Sequence, residues 1–243
     1  MTTPLRLRLH SVHTLHVRQK MESITNIAQA LSIIAACWAI ISGVDAWKRE
    51  FIGKRRIELA EDTMSAFFEI KDAIASIRNP FSTSEEGRSR KKAGYESEVE
   101  SELLDRGYVV FERYEAKKEI FSHFNTLKYR FMASFGHETE EIFKETNRCL
   151  NNIFSSARML ATHYWKRQGR VKMEKDEFEK HLEEMHKHEG IFWDMHSEED
   201  EVRKQLEEIQ AKLDRVIKPY FEESMKSYSI FTKPFKKCSN KAG

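Results

Sequence analysis

Along most of this chain, apolar residues recur three or four positions apart with charges between them, the spacing of one buried face on a helix. Residues 23–44 break that rhythm, because they contain no Asp, Glu, Lys or Arg in a sequence that is 33% charged. As a helix rising ~1.5 Å per residue the run is about 33 Å long, which matches the roughly 30 Å hydrocarbon core of a bilayer. Its densely apolar part, residues 30–44, is shorter, since Ser23, Thr25, Asn26 and Gln29 crowd the first third. Trp47, Lys48 and Arg49 supply an interfacial anchor, and Lys54, Arg55 and Arg56 extend a positive flank of the kind that stays cytoplasmic. The pattern predicts a transmembrane helix over 22–47.

Beyond the anchor the helical rhythm continues through Ile57, Ala60, Met64, Phe67 and Ile74 with no Gly-Pro break. The first helix is therefore expected to run from about 22 to 78, where Asn79-Pro80 ends it. Residues 79–95 read as a polar loop. A second helix is predicted over 96–135, with Gly107 as a weak point and Gly136 as its cap. A third covers 138–167, with Phe143, Leu150, Ile153, Phe154, Ala157 and Leu160 inward, and closes at Gly169. The fourth takes 174–193. Ser197 is expected to cap a fifth over 198–218, which Pro219 bends or stops. Tyr108-Val109-Val110-Phe111 is the single strand-like run, and it sits among helix formers. With only nine Gly and four Pro in the chain, the turns are few and the helices long. The fold class is all-α: an N-terminal transmembrane helix continuing into a long helix of a cytosolic antiparallel bundle over 48–220, followed by a basic tail over 221–243.

Charge sharpens this picture. The net charge of +2 hides basic ends, Arg6 to Arg56 and Lys226 to Lys241, around an acidic middle. An acidic middle argues against nucleic acid as a partner, since phosphate binding needs a basic face; the basic ends suit anionic lipid headgroups. Residues 1–20 contain no acid and form a basic extension that is absent if Met21 is the start. With Met21 as the start, the positive flank lies plainly after the apolar run and the large domain is cytoplasmic. Cys37, Cys149 and Cys238 have no metal-like spacing and imply no disulfide framework.

Alternating steps of three and four along the first helix reach Thr25, Gln29, Ser32, Ala36, Ala39 and Gly43, then Ile57, Ala60, Met64 and Phe67. Within the bilayer every member is small or polar, which lets helix backbones approach closely and hydrogen-bond across a contact. Beyond it the members become apolar, as a parallel coiled coil in water requires. This predicts a seam for self-association and hence a homo-oligomer. The alternative is that the row arises from an Ala-rich span and that Ile57 to Phe67 pack on their own domain. A second seam, Val202, Leu206, Ile209, Leu213, Val216 and Tyr220, is too short to argue a coiled coil and reads as bundle core.

Candidate chemistry is sparse. His181, His186, His188 and His196 cluster with Glu177, Glu183 and Glu184, yet Glu183-x-x-His186 has no second copy with which to build a di-iron site. No metal and no cofactor is implied, and the cluster reads as a solvated charged face. The loop cations Arg88, Arg90, Lys91 and Lys92 read as solvated too. There is no phosphate loop, no nucleophile elbow and no small-molecule site. Arg158-x4-His163 matches the loose Arg-x4-6-His pattern and resembles the HEPN helical ribonucleases. That resemblance implies Arg158 and His163 as paired catalytic residues at a dimer cleft in metal-independent RNA cleavage, although Met159 stands where a polar residue is usual.

The stretch from Gly43 to Ala60, with Arg78-Asn-Pro-Phe81 and Phe131-Met-Ala-Ser-Phe-Gly136, resembles uncharacterised bacterial single-span membrane proteins with a cytosolic helical domain. The resemblance implies an inner-membrane location and a Met21 start, but no activity. Taken together, the expectation is a non-enzymatic, self-associating scaffold that presents its bundle to a cytosolic protein partner. The alternatives are an oligomeric pore-forming or membrane-disrupting effector, in toxicity or antiphage defence, and a HEPN-like ribonuclease.

Overall fold

The computed structural model describes the backbone of residues 5–196 and 199–231 and most side chains from Met21 to Glu222. Every regular element among the described residues is helical. The chain divides into two units, one ending at Lys54 and the other beginning at Arg55.

Helix α1, Leu5–Ile77, contributes to both units. It begins well before residue 22, so the basic extension from Leu5 onward is helical, and it ends at Asn79-Pro80 as anticipated. In the first unit, Ile27, Leu31, Ile33, Ile34, Trp38, Ile40 and Ile41 are all exposed. Trp47 stacks on Phe51 with ring centroids 5.6 Å apart.

The second unit is built around one apolar core. From Leu59 to Ile77, α1 places Leu59, Ala60, Phe67, Ile70, Ile74 and Ile77 in that core. It is joined by α2 (Glu98–Glu115), α3 (Lys118–Phe135), α4 (Glu140–Met159), α6 (Lys175–Phe192) and α7 (Glu201–Phe231). A short 3-10 turn, His137–Thr139, precedes α4; a π turn, Leu160–Tyr164, and the single turn α5, Trp165–Arg167, follow it. Helix α4 packs on α2, α6 and α7. An aromatic chain binds the centre: Phe67 contacts Phe124, Phe124 contacts Phe143, and Phe143 contacts Phe131.

Several boundaries differ from the sequence pattern, each for a physical reason. The predicted helix over 96–135 breaks at Ala116 and Lys117 rather than at Gly107. Gly107 instead lies buried inside α2, where an added Cβ would sit 2.5 Å from the Ala161 Cβ. Its missing side chain lets α2 close onto the π turn. Ser97 caps α2 by accepting from the Glu100 amide. Gly136, with φ 111°, ends α3 as expected, and Gly169, with φ 70°, follows α5.

Ser197 lies outside the described residues; α7 starts at Glu201, and Asp200 accepts from the Arg203 amide at 2.9 Å in the capping position. Pro219 does not stop α7, which continues to Phe231. The short seam on this helix is core, with Val202, Leu206, Ile209 and Leu213 buried.

Candidate functional site

Three arrangements could carry function: the uncharged face of α1, the polar lock at the end of α1, and a cluster of imidazoles around Tyr164.

On α1, Thr25, Gln29, Ser32, Ala36, Ala39 and Gly43 are all exposed. The Thr25 hydroxyl donates to the Met21 carbonyl at 2.9 Å, and the Ser32 hydroxyl donates to Ala28 at 2.8 Å. Such bonds to the preceding turn satisfy hydroxyls without water. Among the described residues this is the one helix long and apolar enough to cross a membrane, and the apolar window is wholly uncovered by the chain itself.

The lower half of the expected seam is corrected by the structure. Ala60 and Phe67 are fully buried in the chain's own core and Met64 packs against it, while Ile57 is half-buried. Those positions serve the bundle, so no coiled coil of copies runs through them in this state. The anchor residues divide as well. Trp47, Lys48, Arg49 and Arg55 are exposed, whereas the Arg56 guanidinium lies 5.7 Å from the Tyr220 ring centroid, a cation–π contact within the second unit.

The end of α1 is closed by Arg78, whose residue exposure is 2%. Its guanidinium grips the Asp200 carboxylate at 2.7 and 3.0 Å. The remaining donors reach the carbonyls of Gly190, Ile191 and Trp193 at 2.8 to 2.9 Å. These carbonyls terminate α6 and have no partner within that helix, and its negative dipole end favours a cation there. Burial alone would raise the Asp200 carboxyl, but hydrogen bonds from Arg78 and the Arg203 amide, with both positive charges, leave it below the usual carboxylate range. The group is saturated and has no valence left for a substrate.

The loop over 79–95, expected to be solvated, is held in place. Arg113 donates to the carbonyls of Ile77, Asn79 and Phe81 and pairs with Glu86. Arg90 pairs with Glu96 and Asp105, and Lys92 pairs with Asp105. Glu96 is drawn down to about 2, first by its hydrogen bond from Arg90. At Gly87, φ is 85° and a Cβ would fall 1.9 Å from the Asp105 carbonyl oxygen, so only glycine lets the loop lie against α2.

The histidine cluster is also not the solvated face that the sequence suggests. His181 is 94% buried by its 6% exposure, and its Nε2 is buried with no hydrogen-bond partner. His188 Nδ1 lies 3.0 Å from the Ser156 hydroxyl. Both rings, with that of His163, surround Tyr164 at centroid distances of 5.5, 5.2 and 5.0 Å. Tyr164 ends the π turn, a helical form often found at functional positions. His163 is exposed, and its nearest charged partner is Arg167, with Nη1 3.5 Å from Nε2, rather than Arg158. Arg158 is exposed as well. Among the described residues no group of three or more His, Cys, Asp or Glu is arranged to hold a metal ion.

Between α4 and α7 lies a shallow groove of about 220 Å³ lined by Glu145, Arg148, Cys149, Asn152, Gln205, Glu208 and Ile209. Burial pushes the Cys149 thiol up to about 11, which leaves it a poor nucleophile. Comparison with protein-family models, with curated proteins and with solved structures finds no match to this chain.

Sequence reasoning missed the Arg78–Asp200 lock and the burial of His181. The first joins residues 122 positions apart, a separation that periodicity does not reach. A signal did exist for Arg78, a cation placed at the last turn before Asn-Pro.

Proposed function

We propose that the chain is a single-pass membrane protein whose uncharged helix anchors it and joins it to further copies, and whose helical bundle is a binding module for a cytosolic protein rather than an enzyme. The observation that carries this reading is the exposure of every large apolar residue from Ile27 to Ile41. A contiguous apolar surface of this kind needs a cover, and a bilayer of matching thickness supplies one. The internal bonding of Thr25 and Ser32 supports the same environment, and the small residues Ala36, Ala39 and Gly43 favour close helix contact there. The positive flank at Lys48, Arg49 and Arg55 favours a bundle on the cytoplasmic side of a bacterial inner membrane.

The test is cysteine crosslinking in membranes, with Cys37 first changed to Ser because it is exposed on the same helix. Ala39→Cys or Gly43→Cys should link chains far more efficiently than Trp38→Cys. Equal yields at all three positions would remove the oligomeric seam.

A ribonuclease reading keeps one observation in its favour, the π turn that lies between Arg158 and His163 and adds a residue to their spacing. It requires His163→Ala to abolish RNA breakdown on overexpression. The pore reading requires ion leakage that is lost when Gln29 and Ser32 become Leu. Membrane potential and RNA integrity measured together separate the three.

A further inference from the structure

We propose that the contact of α6 with the π turn is an acid-releasable clasp, in which protonation around Tyr164 frees α6 from α4 and bares the apolar face beneath it. The geometry consists of three imidazoles around one phenol ring. His181 and His188 stand on one face of α6, two turns apart, and the Tyr164 ring lies within 5.5 Å of both. At neutral pH each imidazole is uncharged and packs as an aromatic ring. His181 Nε2 has no partner, which a bare lone pair tolerates better than an N–H would.

Acid changes each of these contacts. A protonated His181 would carry an N–H at a buried atom with no acceptor. The charges around it are mostly of the wrong sign: Arg167 and His163 from the segment after α4 oppose a cation, and only Glu177 on α6 favours it. Arg167 already pairs with Glu177 at 3.1 Å, so that carboxylate is shared. His188 faces the Ser156 hydroxyl from α4, with Glu184 and Lys187 of α6 acting in opposite directions. The Tyr164 ring face attracts a cation, but it is shared, so protonating both histidines places two like charges against one ring. Burial lowers the affinity of both imidazoles for a proton in the closed state. The open state therefore binds protons more readily, and opening grows as pH falls below the ordinary histidine value of about 6.5.

Release would uncover Met185 and Phe192 of α6 together with Leu160 and Ala161 of the π turn. The trigger lies in the second unit and does not depend on how the first unit is used.

Amide hydrogen exchange on the full chain in detergent, corrected for intrinsic rates, tests the clasp. Between about pH 7.5 and about pH 5.5, α6 amides should lose about tenfold in protection, while α1 amides after Leu59 stay protected. His181→Phe should keep α6 protected in acid, and His123→Gln, at an exposed position, should leave the wild-type response unchanged. Imidazole NMR titration of the wild-type protein gives a reading that survives a misfolded variant: His181 should titrate below the exposed histidines. An ordinary His181 midpoint, pH-independent exchange in α6, or acid exchange spread evenly over the bundle would each overturn the proposal.

Discussion

The first and second units use the same kinds of apolar residue in opposite ways. Ile34 and Trp38 are more than 60% exposed, while Ile70 and Phe67 are essentially buried, and all four lie on one unbroken helix. Helix formation is therefore indifferent to what covers the side chains; the distribution of charge decides. Where Glu61, Asp62, Glu69 and Asp72 alternate with the apolar positions, the helix has a wet face and a core face. Where charges vanish, no wet face exists, and the cover must come from outside the chain.

The largest expected effect breaks the second unit at its lock. Arg78→Met leaves Asp200 buried without its partner and should cost about 3–5 kcal/mol, seen as a lowered denaturation midpoint of the full chain in detergent. Changing Asp200 to Leu in the same protein should restore much of the loss. Phe67→Ala should cost about 3–5 kcal/mol by opening a cavity, whereas Ile34→Ala should leave the bundle's midpoint where it was. A matching loss at Ile34 would erase the distinction between the units.

Placing a charge in the first unit should have the converse signature. Ile34→Arg is expected to cost about 2.5–3.5 kcal/mol in membrane insertion, read by fractionation, with the bundle's melting unaltered. Gly107→Ala drives a methyl into Ala161 and should cost about 1–3 kcal/mol. A neutral result there would mean that α2 can retreat from the π turn. The smallest effect concerns acid. Glu96 and Glu140 are held at about 2, by hydrogen bonds from Arg90 and from Lys128 respectively, and Asp200 and Glu86 are also lowered. Carboxyls depressed in the folded state stabilise it above their unfolded value of about 4.3 and lose that contribution as pH falls toward 2. The bundle's midpoint should thus decline progressively below about pH 5, and Glu96→Gln should flatten the decline.

Much of this architecture could be read in the chain because helices leave a local trace. The end of α1 at Asn79-Pro80, the cap at Gly136 and the core positions Phe143, Ile153 and Leu160 all follow from neighbours within a few residues. The break after α2 left no Gly or Pro to announce it. Gly107 was misleading because its purpose is tertiary, a close approach to a helix more than fifty positions away. Ala60 and Phe67 show the same limit from another direction: an apolar stripe records that a face is covered, but not whether a copy or the chain itself covers it. His181 sits among charges in sequence, and only the fold turns its imidazole inward. Pro219 ends no helix because residues already committed to α7 lie on both sides of it.

The π turn at Leu160–Tyr164 has a bearing on how this sequence can change in length. A π turn accommodates one more residue than the α-helical path it replaces, so it marks a point where an insertion has been absorbed without breaking the helix. Removing Thr162, which is exposed, would make the segment a plain α-helix and swing everything after it by about 100°. Trp165, now buried with its indole N–H on Glu189 at 2.8 Å, would be rotated out of the core. The exposed residue that looks most dispensable by its side chain is thus among the least dispensable by its backbone, and the segment should tolerate exchange of residues far better than loss of one.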